Sequence, residues 1–456
     1  MRKVRSSLNL NLDLSLPRAT IRPFLKKLIV RGLDAVDARR AVGRAISRDG
    51  EELVIGRRRY DLRRYERVVV LGAGKATASM AQAMEQRLGS RLHGGFVVVK
   101  YGHGLPTKRI VVVEAGHPVP DRSGQRAAAR LCAMVTELGR RDLLIVLLSG
   151  GGSSLLPAPV AGVTLADKQR TTQALLRCGA SITEINTIRK HLSKIKGGRL
   201  AELTKATVVT VILSDVLGDD LSAIASGPTV PDPTTYQDAV SILKRYRIWR
   251  AVPQQVRRYL DRGCQGFVSE TPKPGSPLFR RVHHHIIGNN VAAVTAVARA
   301  AREAGLRTLV HRPVLTGEAR EAGRRFGVLA KNIVHNGKPL QRPCCVVAGG
   351  ETTVTLTGKG TGGRAQEFAA AAALEIAGLT KVWVAAIGTD GTDGPTDAAG
   401  AVIDGNTLTR AQGLSVDLKG ALKRHNTYPA LKQLHQLIVT GPTGTNVNDL
   451  YLLLML

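Results

Sequence analysis

Aromatic residues are scarce in this chain: Phe, Trp and Tyr together make up 4% of its 456 residues. Its cores must therefore be aliphatic, assembled from Val, Ile, Leu and Ala. Cysteine is almost as sparse. Cys132, Cys178, Cys264, Cys344 and Cys345 form no C-x-x-C pair and no metal-ligand spacing, which reads as a disulfide-free fold in a reducing compartment. Long apolar runs are missing as well. "LLIVLLS" and the terminal "LYLLLML" have the length of strands, well short of the roughly 18 residues a membrane span needs. No membrane span is expected. The first twenty residues hold no continuous apolar stretch, and Asp13 interrupts them, which argues against a secretory signal. Their Arg and Ser content fits either a mitochondrial transit peptide or a frayed, alternating arm. The expected location is cytoplasmic, or mitochondrial in a eukaryote. Acidic residues are in deficit too, 35 against 66 Lys and Arg, for a formal net charge of +31. The basic residues concentrate at 57–67, 243–250, 256–262 and 280–285. Such a field attracts phosphates, nucleic acid or acidic membrane surfaces, and it is also what a solvated surface looks like in an Arg-rich proteome.

What is present is an alternation of buried strands and helices, over a length that suggests two or three domains. Helical texture covers about 22–48. Strands are expected at "RVVVLG" (67–72), "FVVVK" (96–100), "RIVVVEAG" (109–116), "LLIVLLS" (143–149) and "TVVTVILSD" (207–215). Helices lie between them, at 75–88, 123–138, 164–177 and 182–204. Continuous β-branched runs mean strands buried on both faces, joined by right-handed crossovers in a mostly parallel sheet. The turn-rich stretches "SGPTVPDPTT" (226–235) and "VSETPKPGSP" (268–277) place a boundary near 265–280. A second α/β set is expected from "HHHIIGNN" (283–290) onward, with "CCVVAGGETTVTLTG" (344–358) read as two strands and a tight turn.

The unusual residues fall where these strands end. "VVVLGAGKA", "IVLLSGGGSS", "VILSDVLGDD", "VVAGGETT" and "AAIGTDGTDG" each run a buried strand straight into glycines, hydroxyls or carboxylates. Ligands of open parallel sheets bind beyond such carboxyl ends, and five loops in two domains suggest a cleft between them. "GAGKA" (72–76) is no P-loop, because Val69 and Ala76 stand where Gly and Ser or Thr belong. It is no complete dinucleotide fingerprint either. Gly72 and Gly74 fit, but Thr77 replaces the third glycine, and the next strand ends in Lys100 rather than an acid. A glycine turn opening a helix, with Lys75 at its mouth, favours an anion. "SGGGSS", from Ser149 through Gly150, Gly151, Gly152 and Ser153 to Ser154, is a second nest of backbone donors. Asp215, at a strand tip with Asp219 and Asp220 following, is open to two readings, a Mg²⁺ ligand or a helix N-cap. Asp390, Asp393 and Asp397 lie in a loop that resembles a cation site but lacks the EF-hand pattern. "GKGTGGRAQEF" (358–368) combines Gly360, Gly362 and Gly363 with Arg364, whose planar fork suits carboxylate or phosphate. The histidines at 283–285 alternate faces of a strand and read as structural or surface, and His117 reads as a turn residue, with substrate binding as the alternative.

Taken in order, "GAGKA", "GHPVPD" (116–121), "LLSGGGSSLLPAP" (147–159), "EINTIRKHLSKIKGGRLA" (184–201), "LSDVLGDDLSAIASGPTVPDPTT" (213–235), "GGETTVTLTGKGTGGRAQEF" (349–368), "GTDGTDGPTDAAG" (388–400) and "GPTGTNVNDL" (441–450) resemble the class II glycerate kinases, whose C-terminal part is the MOFRL domain. The resemblance spans nearly the whole chain. It implies an α/β fold of two domains: a Rossmann-like, mostly parallel sheet in residues 1–270, then a C-terminal α/β domain in 280–456 containing the MOFRL region (about 342–450). It implies transfer of phosphate from ATP, with Mg²⁺, to D-glycerate, giving 2-phosphoglycerate, and small-molecule rather than specific nucleic-acid partners. A homodimer is compatible with it. Lys75, Arg364 and Asp215 match the family's catalytic positions, with Asp215 open as metal ligand, orienting group or cap. Lys196, Glu351 and Asn446 lie inside matching motifs and join the glycine and serine loops as binding candidates. Asp215, Asp219 and Asp390 are the metal candidates. One departure stands out: Ala365 occupies a place where the family usually has Asn, which removes a side-chain amide beside Arg364. Two alternatives remain. One is an NAD(P)H-dependent hydroxypyruvate reductase, a label some such enzymes have carried. The other is a basic nucleic-acid-binding protein.

Overall fold

The computed structural model describes residues 21–456 and the backbone of a two-residue strand, Asp13–Leu14. The transit-peptide or arm reading of the N-terminus otherwise lies outside the described residues. The chain divides into two compact units. One is continuous, 38–287; the other joins the N-terminal helix Ile21–Ala35 to residues 288–456. The expected division into 1–270 and 280–456 thus differs at both ends. Ile21–Ala35 packs on Asn290–Glu303, with Gly32 so close to Val297 that a Cβ there would come within 2.7 Å of it.

In the continuous unit, six strands lie in the order Val282–Gly288, Thr207–Leu213, Asp142–Leu148, Arg67–Ala73, Leu92–Lys100, Ile110–Ala115. The last five pair in parallel. The central strand Asp142–Leu148 is buried at every position, as a strand covered on both faces must be. The apolar runs at 67–72, 143–149 and 207–215 form the strands expected of them. The histidine segment does not open the second unit. It pairs at the edge of this first sheet, where His284 bonds Thr229 Oγ1 at 3.1 Å and burial holds its imidazole down at about 4.

Three other readings are corrected. The helical texture over 22–48 breaks into Ile21–Ala35 and Ala38–Ala45. The chain then forms a three-stranded antiparallel sheet, Ile46–Asp49, Glu52–Ile55 and Arg58–Asp61, whose Asp49–Gly50 turn is a hairpin signal. The helix expected over 182–204 stops at His191 and resumes as a single turn, Arg199–Glu202, because Gly197 and Gly198 take positive φ. The hairpin expected at 344–358 is one ten-residue strand, Cys344–Thr353. Its glycine pair serves close packing, not a turn. A Cβ on Gly350 would lie 2.0 Å from the Leu315 carbonyl oxygen, and one on Gly349 would lie 1.8 Å from Asn290 Oδ1.

The second unit carries a mixed sheet of eight strands. Asp449–Met455 runs antiparallel between Val382–Gly388 and Cys344–Thr353. Arg307–Val310 and Leu315–Glu318 add to Cys344–Thr353 in parallel. Helix Arg364–Glu375 packs on Ala319–Asn336 within a core rich in alanine and joined by Phe326, Phe368 and Tyr451. The small side chains compensate for the shortage of aromatics by letting helices and sheet approach closely.

Candidate functional site

The glycine turn after Arg67–Ala73 and the loop after Asp142–Leu148 are neighbours because their strands are neighbours in parallel register. Gly74 stands at φ +145, and a Cβ there would meet Ser149 Oγ at 2.1 Å. Lys75 N–H donates to the Gly150 carbonyl at 2.8 Å. The Ser149 hydroxyl is spent inside the fold: it accepts from the Ala76 N–H at 3.0 Å and bonds Thr77 Oγ1 at 3.1 Å. Thr77, where a dinucleotide turn would have its third glycine, is fully buried in that contact. Gly151, in the left-handed region, lies beneath His117 and Lys75. A Cβ on it would come 2.8 Å from the imidazole and 3.5 Å from Lys75 Cγ. His117, read as a turn residue, therefore borders the same loop as the lysine, and only the proximity of its loop reveals this.

Beyond Gly152 the loop turns polar. Lys196 Nζ donates to the Ser153 carbonyl at 2.6 Å and to Ser153 Oγ at 2.7 Å. Ser153 Oγ bonds Ser226 Oγ at 2.8 Å, and Ser226 donates to Asn186 Oδ1 at 3.2 Å. Ser154 Oγ turns back to the Gly151 carbonyl. Asp215 and Asp219 follow Thr207–Leu213. No helix starts at Asp215; the next helical turn is Ile224–Ser226, so the N-cap reading has no helix to cap.

In the second unit Arg364 opens its helix at the end of the glycine loop. Asp449 takes one edge of its guanidinium, at Nε 2.7 Å and Nη2 3.0 Å, and Glu351 takes Nη1 at 2.7 Å. The fork expected to grip an anion is engaged by these two carboxylates. Burial works against the charge on Arg364, but Asp449 and Glu351 outweigh it and hold its pKa above the ordinary value. Burial pushes the Asp449 carboxyl up to about 7, against the pull of Arg364, and the Tyr451 hydroxyl donates to it at 3.0 Å. Asp449 lies in the motif "GPTGTNVNDL" (441–450), and the sequence reading does not single it out. A carboxylate at the start of an apolar strand was the available signal.

The glycines of the 358–363 loop answer to packing. Cβ atoms on Gly360, Gly362 and Gly363 would come 2.3 Å from the Arg424 carbonyl, Thr427 Oγ1 and the Asp393 carboxylate respectively. The acidic loop 388–400 does not gather its carboxylates. Asp390 accepts from Thr392 N–H and hydroxyl, and Asp397 accepts from Tyr428. Asp393 caps the helix through the amides of Ala365 and Gln366 at 3.1 and 2.9 Å. The Asn446 loop packs on this one, with Thr443 N–H donating to the Asp390 carbonyl and Val447 N–H to Thr389 Oγ1. Ala365 is wholly buried in the core, so the departure from Asn falls on a packing position. Among the described residues no group of three His, Cys, Asp or Glu is placed to hold a metal, and no helix is long and apolar enough to cross a membrane.

A parallel sheet whose strand-end loops carry glycine, hydroxyls and lysines has the arrangement in which open α/β folds bind ligands. Residues 24–261 match the domain of unknown function DUF4147, and residues 344–449 match the MOFRL family. The chain is 43% identical to a glycerate 2-kinase of Pyrococcus horikoshii, over 94% of this chain and 96% of that protein. It is 45% identical to a putative hydroxypyruvate reductase of Agrobacterium vitis, over 85% and 87%. A crystal structure of a glycerate kinase from Thermotoga maritima superimposes with a TM-score of 0.84 at 40% identity, covering 96% of this chain and all of that one. The chain belongs to the DUF4147–MOFRL family, the class II glycerate kinases.

Proposed function

We propose that this protein transfers the γ-phosphoryl group of ATP to D-glycerate, giving 2-phosphoglycerate. The observation that carries the reading is the Lys75 arrangement: a lysine whose stem lies against Gly151 where two parallel strands end side by side. The near full-length likeness to a protein named glycerate 2-kinase supports the choice of substrate and product.

Phosphoryl transfer asks the protein mainly for positioning and neutralisation of charge. The substrate hydroxyl oxygen attacks the γ-phosphorus, the bond to the β,γ-bridging oxygen breaks, and ADP leaves. Lys75 supplies positive charge to the phosphates. Asp215, released from the cap reading, orients the attacking hydroxyl or contacts a phosphate-borne cation. Arg364 belongs to the second unit, and its guanidinium is already answered by Asp449 and Glu351, so it is given no part in the transfer. Mg²⁺ ordinarily takes one or two carboxylates with phosphate oxygens. Among the described residues no three His, Cys, Asp or Glu gather to hold such an ion; Asp215 would hold it together with the phosphate oxygens, where it would neutralise charge on the nucleotide. Asp219 and Asp390 have no role in this reading. Reduction of hydroxypyruvate gains nothing from the Gly72–Thr77 turn, where Thr77 stands in place of the third glycine of a dinucleotide fingerprint and is buried against Ser149.

An ADP-release assay across D-glycerate, L-glycerate, tartrate and glycolate tests the substrate, and ³¹P NMR of the product tests the position of phosphorylation. D-glycerate is expected to turn over fastest. Lys75→Ala should lower kcat at least about 100-fold, the scale for removing a charge-stabilising group. NADPH oxidation with hydroxypyruvate and no ADP release with any acid would overturn the reading.

A further inference from the structure

Four polar side chains of the continuous unit form one hydrogen-bonded series that ends on a buried lysine. Lys196, 3% exposed, bonds two atoms of a single residue, the Ser153 carbonyl at 2.6 Å and Ser153 Oγ at 2.7 Å. Ser153 Oγ bonds Ser226 Oγ at 2.8 Å, and Ser226 Oγ bonds Asn186 Oδ1 at 3.2 Å. Lys196, Ser226 and Asn186 are buried; Ser153 alone of the four is half-buried. Ser226 stands at φ +61 and Ala225 at φ +51, left-handed values uncommon outside glycine. Their turn lies against the serine loop, where a Cβ on Gly152 would come 3.1 Å from Ala225 Cβ. Strain of this kind persists where the surrounding structure enforces it, and it collects at functional sites.

The series can run in either direction. With the lysine protonated, the hydrogens point from Lys196 to Ser153, on to Ser226 and then to the Asn186 oxygen. With the lysine neutral they point back, from the Asn186 amide nitrogen through both hydroxyls to the Nζ lone pair. A hydroxyl both donates and accepts, and an amide can turn either atom inward. The bond to the Ser153 carbonyl survives in both states and holds Nζ in place. The surroundings favour the neutral amine. Burial draws Lys196 well below its ordinary range, and the charges of Lys168 and Arg189 act the same way. Lys75 borders the loop as well, its stem against Gly151. Among the described residues no carboxylate pairs with Lys196. Asp232, close to Gly197, faces Lys190 at 3.4 Å, and Asp167 bonds Thr164 and Arg170. A hydroxyl and a base within hydrogen-bond reach, with the base held by a third group, are the parts of an activated pair.

We propose that Ser153 and Lys196 together accept the proton of the substrate hydroxyl during phosphoryl transfer, and that Ser226 and Asn186 are positioning residues for the Ser153 hydroxyl. This rests on the kinase reading, which brings the substrate to the loop beside Lys75. As the substrate oxygen bonds the γ-phosphorus, its proton passes to Ser153 Oγ, and the Ser153 proton passes to the lone pair of Lys196 Nζ. The serine is restored and the lysine becomes an ammonium, which returns its proton along the same path once the product has left. Ser153 Oγ has the capacity for this: one lone pair for Ser226, one for the substrate, and its hydrogen for the lysine. The small cavity that Lys196 borders is otherwise lined by apolar side chains and glycine, which leaves Ser153 as the amine's route to a proton.

Two measurements on the full chain test this: ADP release with D-glycerate as a function of pH, and the rate at which a sulfonyl fluoride labels Ser153, read by mass spectrometry. Ser153→Ala and Lys196→Met should each lower kcat by about 10²–10⁴-fold, the range for a general base, with the KM of both substrates little changed. Ser153→Thr, which keeps the hydroxyl, should recover part of the rate. Wild-type kcat/KM should rise with pH as Lys196 loses its proton and then level off, and Lys196→Met should lose that rise. Labelling of Ser153 should show the same rise in the wild type and nearly stop in Lys196→Met. Higher KM with unchanged kcat in both variants would make the series a structural brace and overturn the proposal. So would a pH profile that Lys196→Met leaves in place, or wild-type labelling that ignores pH, a result that needs no variant to fold. Wild type that releases no ADP with any acid would sink the kinase reading, while the labelling would still decide whether the serine and lysine exchange a proton.

Discussion

Arg364 divides its guanidinium between Asp449, 1% exposed, and the more open Glu351. Removing one partner of a buried pair leaves the other uncompensated. Arg364→Met should therefore destabilise the protein by about 3–5 kcal/mol, and the double variant with Asp449→Asn should recover much of that in chemical denaturation. Equal instability in single and double variants would mean the pair is not the cause. Asp393 gives a pH-dependent counterpart. Burial pushes its carboxyl up to about 6, against the pull of the two helix amides. The folded value lies above the unfolded one, so this group's contribution is fully present below about pH 4 and is lost as pH rises through 6. Asp393→Asn should give a flatter stability profile than wild type between pH 4 and 6. Glu270, held down at about 2 by His191 against the cost of burial, acts the other way and in a lower window: its contribution is lost as pH falls from about 4.5 toward 2. Asp449, raised to about 7 by burial and in part by Asp393, responds in the same direction, so the wild-type-minus-variant difference removes Glu270 and reports the two aspartates together.

Loops at strand ends show why some elements were legible and others were not. Apolar β-branched runs identify buried strands because side-chain sterics act within a few residues, and the strands through 67–73, 142–148 and 207–213 formed as read. Gly349 and Gly350 looked like a turn, but their reason lies in Asn290 and Leu315, far along the chain. Asp215 looked like a cap, but no helix follows it. Ser149 looked like a ligand donor, yet it pins the Lys75 turn. That last contact predicts an outcome. Gly74→Ala would need both a strained backbone and a shift of Ser149, and should cost about 1–3 kcal/mol with a matching loss of turnover. Thermal melts unchanged from wild type would show the turn to be slack.

Across the molecule, the +31 charge has no part in the phosphoryl-transfer reading. Its expected consequence is non-specific. Affinity for duplex DNA in filter binding should fall linearly on a log–log plot against salt and show no sequence preference. Tight binding that persists above about 0.5 M salt would instead favour the nucleic-acid reading. The division into units was only partly legible for a related reason. Helix Ile21–Ala35 carries an ordinary apolar stripe, and nothing local says that its partner is Asn290–Glu303.

Local chemistry was enough to establish the α/β alternation, the glycine-rich strand ends, the position of Lys75 at a turn and the likeness to a kinase family. Those features depend on neighbours a few residues apart. Which charges meet is a different matter. Asp449 reaches Arg364 across 85 residues, and Lys196 reaches Ser153 across 43. Such pairings form only when the folded chain closes those distances and removes the water that would otherwise keep the charges apart.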